Sequence, residues 1–197
     1  MKTIVAFDFD GTLTKKDSFI EFIKFSKGKA IFFLNLPFFF FIWMSIQLKI
    51  INIDIAKERM FNHFFKGMSL REFNIKCESF SSVIDKVLKK EAIKTINGFK
   101  KPNYKIMIVS ASIENWIQPW ASKKGIDIVI ATKIERNNQN ILTGRFNSKN
   151  CKGEEKVHRI LEMFPNRESY KLISFGNSKG DKELIEFSNK GYMNSIK

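Results

Sequence analysis

Two aspartates, Asp8 and Asp10, flank a single phenylalanine directly after a short apolar run, Thr3–Phe7, and Gly11-Thr12 follow. A lone aspartate in such a place often only caps a helix or closes an Asx turn. Two of them so close repel each other, and a site that keeps both usually needs a cation. Hard oxygen ligands favour Mg²⁺, which binds few carboxylates and keeps several waters. A carboxylate beside Mg²⁺ can attack a phosphoryl group to give an acyl phosphate. A second carboxyl can protonate the leaving oxygen and later activate water. Gly11 would let the backbone approach the phosphate closely.

The elements that must position these groups follow from the apolar pattern. Thr3–Phe7 predicts a buried parallel strand ending in the DFDGT turn. From Asp17 to about Lys101 the periodicity is helical, with Phe19, Phe22, Ile23 and Phe25 on one face and Met60, Phe61, Phe64 and Phe65 on another. Lys105–Val109 predicts a second strand, followed by Ser110-Ala111-Ser112. A helix over Ile113–Lys124, stopped by Gly125, and a strand over Ile126–Ala131 come next. Ile134–Arg136 and Leu142–Phe146 flank an Asn-rich turn and predict a hairpin. Glu154–Phe164 and Asp181–Asn189 read as helices, Leu172–Phe175 as a strand ending in Gly176-Asn177, and Tyr192–Ile196 as an edge strand. Strands alternating with helices imply an α/β fold with right-handed crossovers, and ligands in such folds bind beyond the carboxyl ends of the strands. Asp8, Asp10, Ser110 and Asn177 stand at those ends.

Asp8-Phe9-Asp10-Gly11-Thr12-Leu13-Thr14 resembles the first motif of the haloacid dehalogenase superfamily of aspartate-nucleophile phosphatases. Val109-Ser110-Ala111-Ser112 resembles its second motif, Lys156 its third-motif lysine, and Phe175-Gly176-Asn177-Ser178-Lys179-Gly180-Asp181 its fourth, in the same order along the chain. The resemblance implies a Rossmann-like parallel sheet, residues 1–14 and 102–197, with a helical cap inserted over residues 15–101. It also implies roles. Asp8 is then the nucleophile and a magnesium ligand. Asp10 is the general acid and base, and its backbone carbonyl also binds the metal. Gly11, the Ser110 hydroxyl and the backbone at Ala111 hold the phosphate, and Lys156 neutralises charge. Asp181 supports the metal directly or through water. Asn177 stands where most relatives carry an aspartate; an amide oxygen can still ligate Mg²⁺, at the cost of one negative charge. An acid at position 10 argues against a dehalogenase. Lys152 and Lys179 are rivals to Lys156 and read as solvated surface lysines.

The charge is +14, which suggests an anionic partner, although a lysine-rich composition alone also gives solubility. No nucleic-acid-binding module accompanies the basic residues. Cys77 and Cys151 fit no zinc or disulfide spacing, and no secretory cleavage pattern follows the first apolar run. His63 reads as a core or boundary residue, and Trp116 and Trp120 as packing. Of 21 phenylalanines, 14 lie between Phe19 and Phe80, so the excess belongs to the insertion. Ala30–Leu48 carries no charge, with Lys24, Lys27 and Lys29 before it and Lys49 after it. Asn35 and Pro37 interrupt the run, and a single crossing would separate Asp8 from Ser110, so a re-entrant hairpin or an interfacial helix is expected, with a buried cap core or a dimer interface as the bland alternative. An apolar insertion here, with Ile134-Glu135-Arg136 and Cys151-x-Gly153-x-Glu155-Lys156-Val157, resembles the phosphatidylglycerophosphatase C family. That likeness implies a lipid phosphate substrate, membrane contact through residues 30–53, and a place in the cytoplasm at the inner face of the cell membrane. The alternatives are a soluble phosphatase of small metabolites, similar to phosphoserine phosphatases, or a non-catalytic phosphate- or membrane-binding protein.

Overall fold

The computed structural model describes residues 2–197. In chain order the elements are β1 (Lys2–Phe7), α1 (Ser18–Lys27), α2 (Lys29–Leu34), α3 (Leu36–Gln47), α4 (Ile53–Phe65), α5 (Leu70–Val87), α6 (Ala92–Gly98), β2 (Tyr104–Ile113), α7 (Glu114–Lys123), β3 (Ile128–Thr132), β4 (Ile134–Arg136), β5 (Leu142–Phe146), α8 (Glu154–Met163), β6 (Tyr170–Gly176), α9 (Lys182–Phe187) and β7 (Lys190–Met193). Five strands form one sheet in the order β3-β2-β1-β6-β7, every pair parallel. β1 lies at its centre, and Ile4–Phe7 are fully buried because helices cover both faces.

Three expected boundaries move. β2 does not stop at Val109. It runs on to Ile113 with a register shift between Ser110 and Ile113, and the Thr132 hydroxyl donates to the Ala111 carbonyl (2.8 Å) where the regular ladder fails. β3 begins at Ile128, because Asp127 turns its carboxylate back onto the Ile106 amide (3.2 Å). The last strand is Lys190–Met193, parallel to β6; Ile196 leaves the sheet edge to fill the core.

Helices α1–α6 lie between β1 and β2. Each long helix has a local cause. Asp17 caps α1 by accepting from the Phe19 and Ile20 amides, Asn52 caps α4 and Ser69 caps α5. Their apolar faces meet in an aromatic cluster centred on Phe22, whose ring lies 4.7–5.5 Å from those of Phe65, Phe73, Phe80 and Trp116. Trp116 belongs to α7, so the insertion and the sheet share one core, as the packing role expected of Trp116 and Trp120 requires.

The uncharged run is two short helices. Asn35 separates α2 from α3, its side-chain N–H donating to the Ile31 carbonyl and its Oδ1 accepting from His63 Nε2 (2.7 Å). Pro37 starts α3, where its missing N–H costs nothing. Phe38, Phe39 and Ile42 face α4, while Phe33, Leu34, Phe40, Phe41 and Trp43 are exposed. His63, expected in the core or at its boundary, is exposed and stacks on Phe38. No helix among the described residues is long and apolar enough to cross a membrane.

Candidate functional site

The turn after β1 puts Asp8 at the carboxyl edge of the sheet, where its amide donates to the Phe175 carbonyl of β6 (2.8 Å). Phe9 points down into the core against Trp120, which leaves Asp8 and Asp10 on the open side. Gly11 has φ +79°, and any side chain there would collide with the Asn177 amide. The close approach that Gly11 permits in this structure is therefore to Asn177. Gly176, the last residue of β6, is similarly tight: a Cβ would lie 2.5 Å from that of Asp181.

Lys156, on the first turn of α8, reaches across with its ammonium 2.7 Å from Asp8 Oδ1 and 2.5 Å from Asp181 Oδ1. All three side chains are buried. Burial disfavours the charge on Lys156, but Asp8 and Asp181 outweigh it and hold the ammonium up at about 12. Burial also pushes Asp8 upward, and Asp181 adds to this, while Lys156 and Thr12 pull it down. Asp181 ends below the usual carboxylate range: burial opposes this, but Lys156 and the Ser178 donors prevail. Its Oδ2 accepts from the Asn177 and Ser178 amides and the Ser178 hydroxyl (2.8–3.1 Å).

Asp10 is held by one residue. Ser18 donates its amide to Oδ1 (2.8 Å) and its hydroxyl to Oδ2 (3.1 Å). The Ser18 hydroxyl also meets that of Ser112 (2.7 Å), and the Trp116 indole N–H donates to both. Asp10 is pushed up to about 7, first by burial and then by the Asp17 carboxylate; the Ser18 donors pull the other way.

Three oxygens converge beside this pair. One terminal atom of the Asn177 amide lies 3.1 Å from both Thr12 Oγ1 and the Asp10 carbonyl oxygen, and 3.3 Å from Asp8 Oδ2. As nitrogen it donates to them. As oxygen it joins Asp8 and the Asp10 carbonyl in a cluster of hard donors that only a cation makes favourable. The residues present therefore fit Mg²⁺.

A cavity of about 700 Å³ opens over the site and is lined at its floor by Asp8, Asp10, Ser110, Ala111, Lys156 and Asp181. The Ser110 hydroxyl accepts from the Ser112 amide (3.0 Å) within the irregular end of β2. Gly11 and Asn177 lie behind this floor and do not line it. Lys152 lines the wall, paired with Asp54 of α4 at 2.7 Å, and Lys179 is exposed at the rim. Sequence reasoning missed Thr12, which donates to Asp8 Oδ2 (2.8 Å), as well as Ser18 and Ser112. It also missed Lys57, which enters the cavity from α4 and donates to the Ala111 carbonyl. Only Thr12 and Ser112 carried any signal, as neighbours of the motif residues.

The chain is 28% identical over 201 residues to Protein CicA of Caulobacter vibrioides, covering 96% of this chain and 85% of that protein. A solved structure of a protein with unknown function from Bordetella pertussis Tohama I superposes with a TM-score of 0.81 at 20% identity, covering 97% of this chain and 89% of that one. A structure described as a phospho-aspartyl intermediate analogue of phosphoserine phosphatase superposes with a TM-score of 0.64 at 17% identity, covering 96% and 85%. At those identities the structures share the fold. The sequence model of the haloacid dehalogenase-like hydrolases matches residues 5–186, and this site of two aspartates just beyond β1, a serine where β2 turns irregular and a buried lysine belongs to a chain of the haloacid dehalogenase-like hydrolase family.

Proposed function

We propose that this chain is a Mg²⁺-dependent phosphomonoester hydrolase that works through an aspartyl-phosphate on Asp8. The observation that carries this reading is the buried Asp8–Lys156–Asp181 cluster with Asp10 beside it at the floor of an open cavity. Asp8 attacks phosphorus, the ester P–O bond breaks, and Asp10 gives its proton to the leaving oxygen. Asp10 then takes a proton from a water whose oxygen attacks the acyl phosphate, releasing inorganic phosphate and restoring Asp8. Ser110 and the backbone at Ala111 hold the phosphoryl oxygens. Lys156 stays charged throughout and steadies the nucleophile. Asp181 orients Lys156 and the Asn177 loop. Asp8, the Asp10 carbonyl and Asn177 would hold Mg²⁺, with Asp181 behind them; the metal offsets the charge between nucleophile and phosphoryl group. A relative solved with a phospho-aspartyl analogue shares the fold and supports the same chemistry here.

The test is Asp8→Asn, which keeps the shape and removes the nucleophile. Turnover of p-nitrophenyl phosphate should fall by at least about a thousandfold with an unchanged melting curve. Activity near wild type in the purified variant would sink the covalent mechanism.

The favoured substrate is a membrane lipid phosphate such as phosphatidylglycerol phosphate. Two observations support it: α2 and α3 expose a run of large apolar side chains, and the cavity wall above Asp8 is apolar, with Phe19, Ile46, Ile53, Ala56 and Met60. Residues 15–101 then act as a cap that selects substrate and rests on the inner face of the cell membrane through residues 30–53.

A further inference from the structure

Four lysines line the cavity over Asp8: Lys57, Lys152, Lys156 and Lys179. Lys156 is bound to Asp8 and Asp181, and Lys152 to Asp54. Lys179 is exposed to solvent at the rim. Lys57 differs from all of these. It is partly buried, it lies over the face of Phe19 at 5.7 Å, and among the described residues no carboxylate oxygen comes within ion-pairing distance of it. The Ala111 carbonyl takes one of its three N–H groups. Burial holds its ammonium below the usual lysine value, although Asp10, Asp17 and Asp54 pull it upward. A desolvated cation with spare donors, facing a cavity, is unfavourable until an anion arrives.

The direction it faces says which anion. This step rests on the reading that Asp8 is the nucleophile. Attack in line from Asp8 sends the leaving oxygen away from the sheet, toward the wall built by the inserted helices. Lys57 stands in that wall beside Ile46, Ile53, Ala56 and Met60. We propose that Lys57 anchors a second negative charge carried by the leaving alcohol, and so selects substrates whose leaving group is both anionic and apolar. A phosphodiester joined to an acylated glycerol has that chemistry. The scissile phosphate is served by Lys156 and Ser110 at the cavity floor, whereas Lys57 comes from the inserted helix α4, so Lys57 is a specificity residue and not part of the transfer step.

Two water-soluble substrates test this without a membrane. Glycerol 3-phosphate and glycerophosphoglycerol phosphate present the same kind of phosphomonoester on glycerol, and only the second adds a phosphodiester anion. Lys57→Met keeps the stem and removes the charge. It should raise KM for glycerophosphoglycerol phosphate about tenfold more than for glycerol 3-phosphate, the worth of one charge-assisted hydrogen bond. Lys57→Arg should recover most of that selectivity. An equal loss on both substrates overturns the proposal and makes Lys57 a ligand of the scissile phosphate. An equal loss together with a lower Tm also overturns it, and makes the Lys57–Ala111 contact a latch between insertion and sheet. If the wild-type chain releases phosphate from neither substrate nor from p-nitrophenyl phosphate, the phosphatase reading itself fails first.

Discussion

In the mechanism proposed above, Asp10 gives up a proton in one half-reaction and takes one back in the next, which requires a proton affinity near the working pH. The structure meets that need with opposing contacts: burial and Asp17 raise the carboxyl to about 7, while the two Ser18 donors favour the charged form. In that mechanism the protonated form is the competent one when the leaving oxygen departs. Turnover of an alkyl phosphate should therefore decline as pH rises through about 7. Asp17→Asn removes the like charge, yet an asparagine still caps α1. The decline should move to lower pH in that variant, as pH–rate profiles would show; an unmoved limb would detach Asp17 from the acid. Much at this scale was legible in the sequence. Asp8, Asp10, Ser110, Lys156 and Asp181 lie at or just beyond strand ends or on a helix start, where chain order alone brings them to one edge. Lys57 was not legible. It is one of 34 lysines and arginines, and only the docking of α4 over β2 turns it toward the site.

Helix α3 is too short to span a bilayer: twelve residues rise about 18 Å against a hydrocarbon core of about 30 Å. It divides its aromatic side chains between two environments. Phe38, Phe39 and Ile42 pack toward α4, whereas Phe40, Phe41 and Trp43 are 56%, 68% and 53% exposed. Lys24, Lys27, Lys29 and Lys49 flank the run, and each is worth about 1 kcal/mol near an anionic surface. Replacing Phe40, Phe41 and Trp43 together with Ser should abolish co-sedimentation with phosphatidylglycerol vesicles and leave Tm unchanged. Hydrolysis of p-nitrophenyl phosphate should survive, since these side chains lie outside the cavity. Undiminished vesicle binding would remove α3 as the contact surface. The sequence showed the uncharged run and its interruption at Asn35 and Pro37, but not which aromatic side chains turn inward, because that depends on a distant partner: α4 packs against Phe38, Phe39 and Ile42, and its His63 meets Asn35. The same limit applies to β2. Its continuation past Ser110 rests on the Thr132 hydroxyl, a contact that local pattern does not encode.

Across the whole molecule, one aromatic cluster crosses from the inserted helices to α7 and the sheet, with Phe22 stacked on Trp116 at its middle. Unfolding should accordingly be a single transition, with tryptophan fluorescence and far-UV circular dichroism changing together. Phe22→Ala should cost about 3–5 kcal/mol and shift both signals alike. Two separated transitions would mean that the insertion folds as its own unit. The run of helices between β1 and β2 was readable as a change in periodicity, whereas this shared core was not, since Phe22 and Trp116 stand far apart in sequence. The β4–β5 hairpin adds a mechanical consequence. Backbone hydrogen bonds join Gly67 and Met68 to Leu142, and Leu70 to Asn140, while Glu58 accepts from the Phe146 amide and Asp54 from Asn150 and Lys152. The strap so riveted to α4 ends at Gly153, one turn before Lys156. A load placed on the inserted helices is thus borne by the same length of chain that carries the lysine gripping Asp8, and any tilt of those helices pulls on that grip.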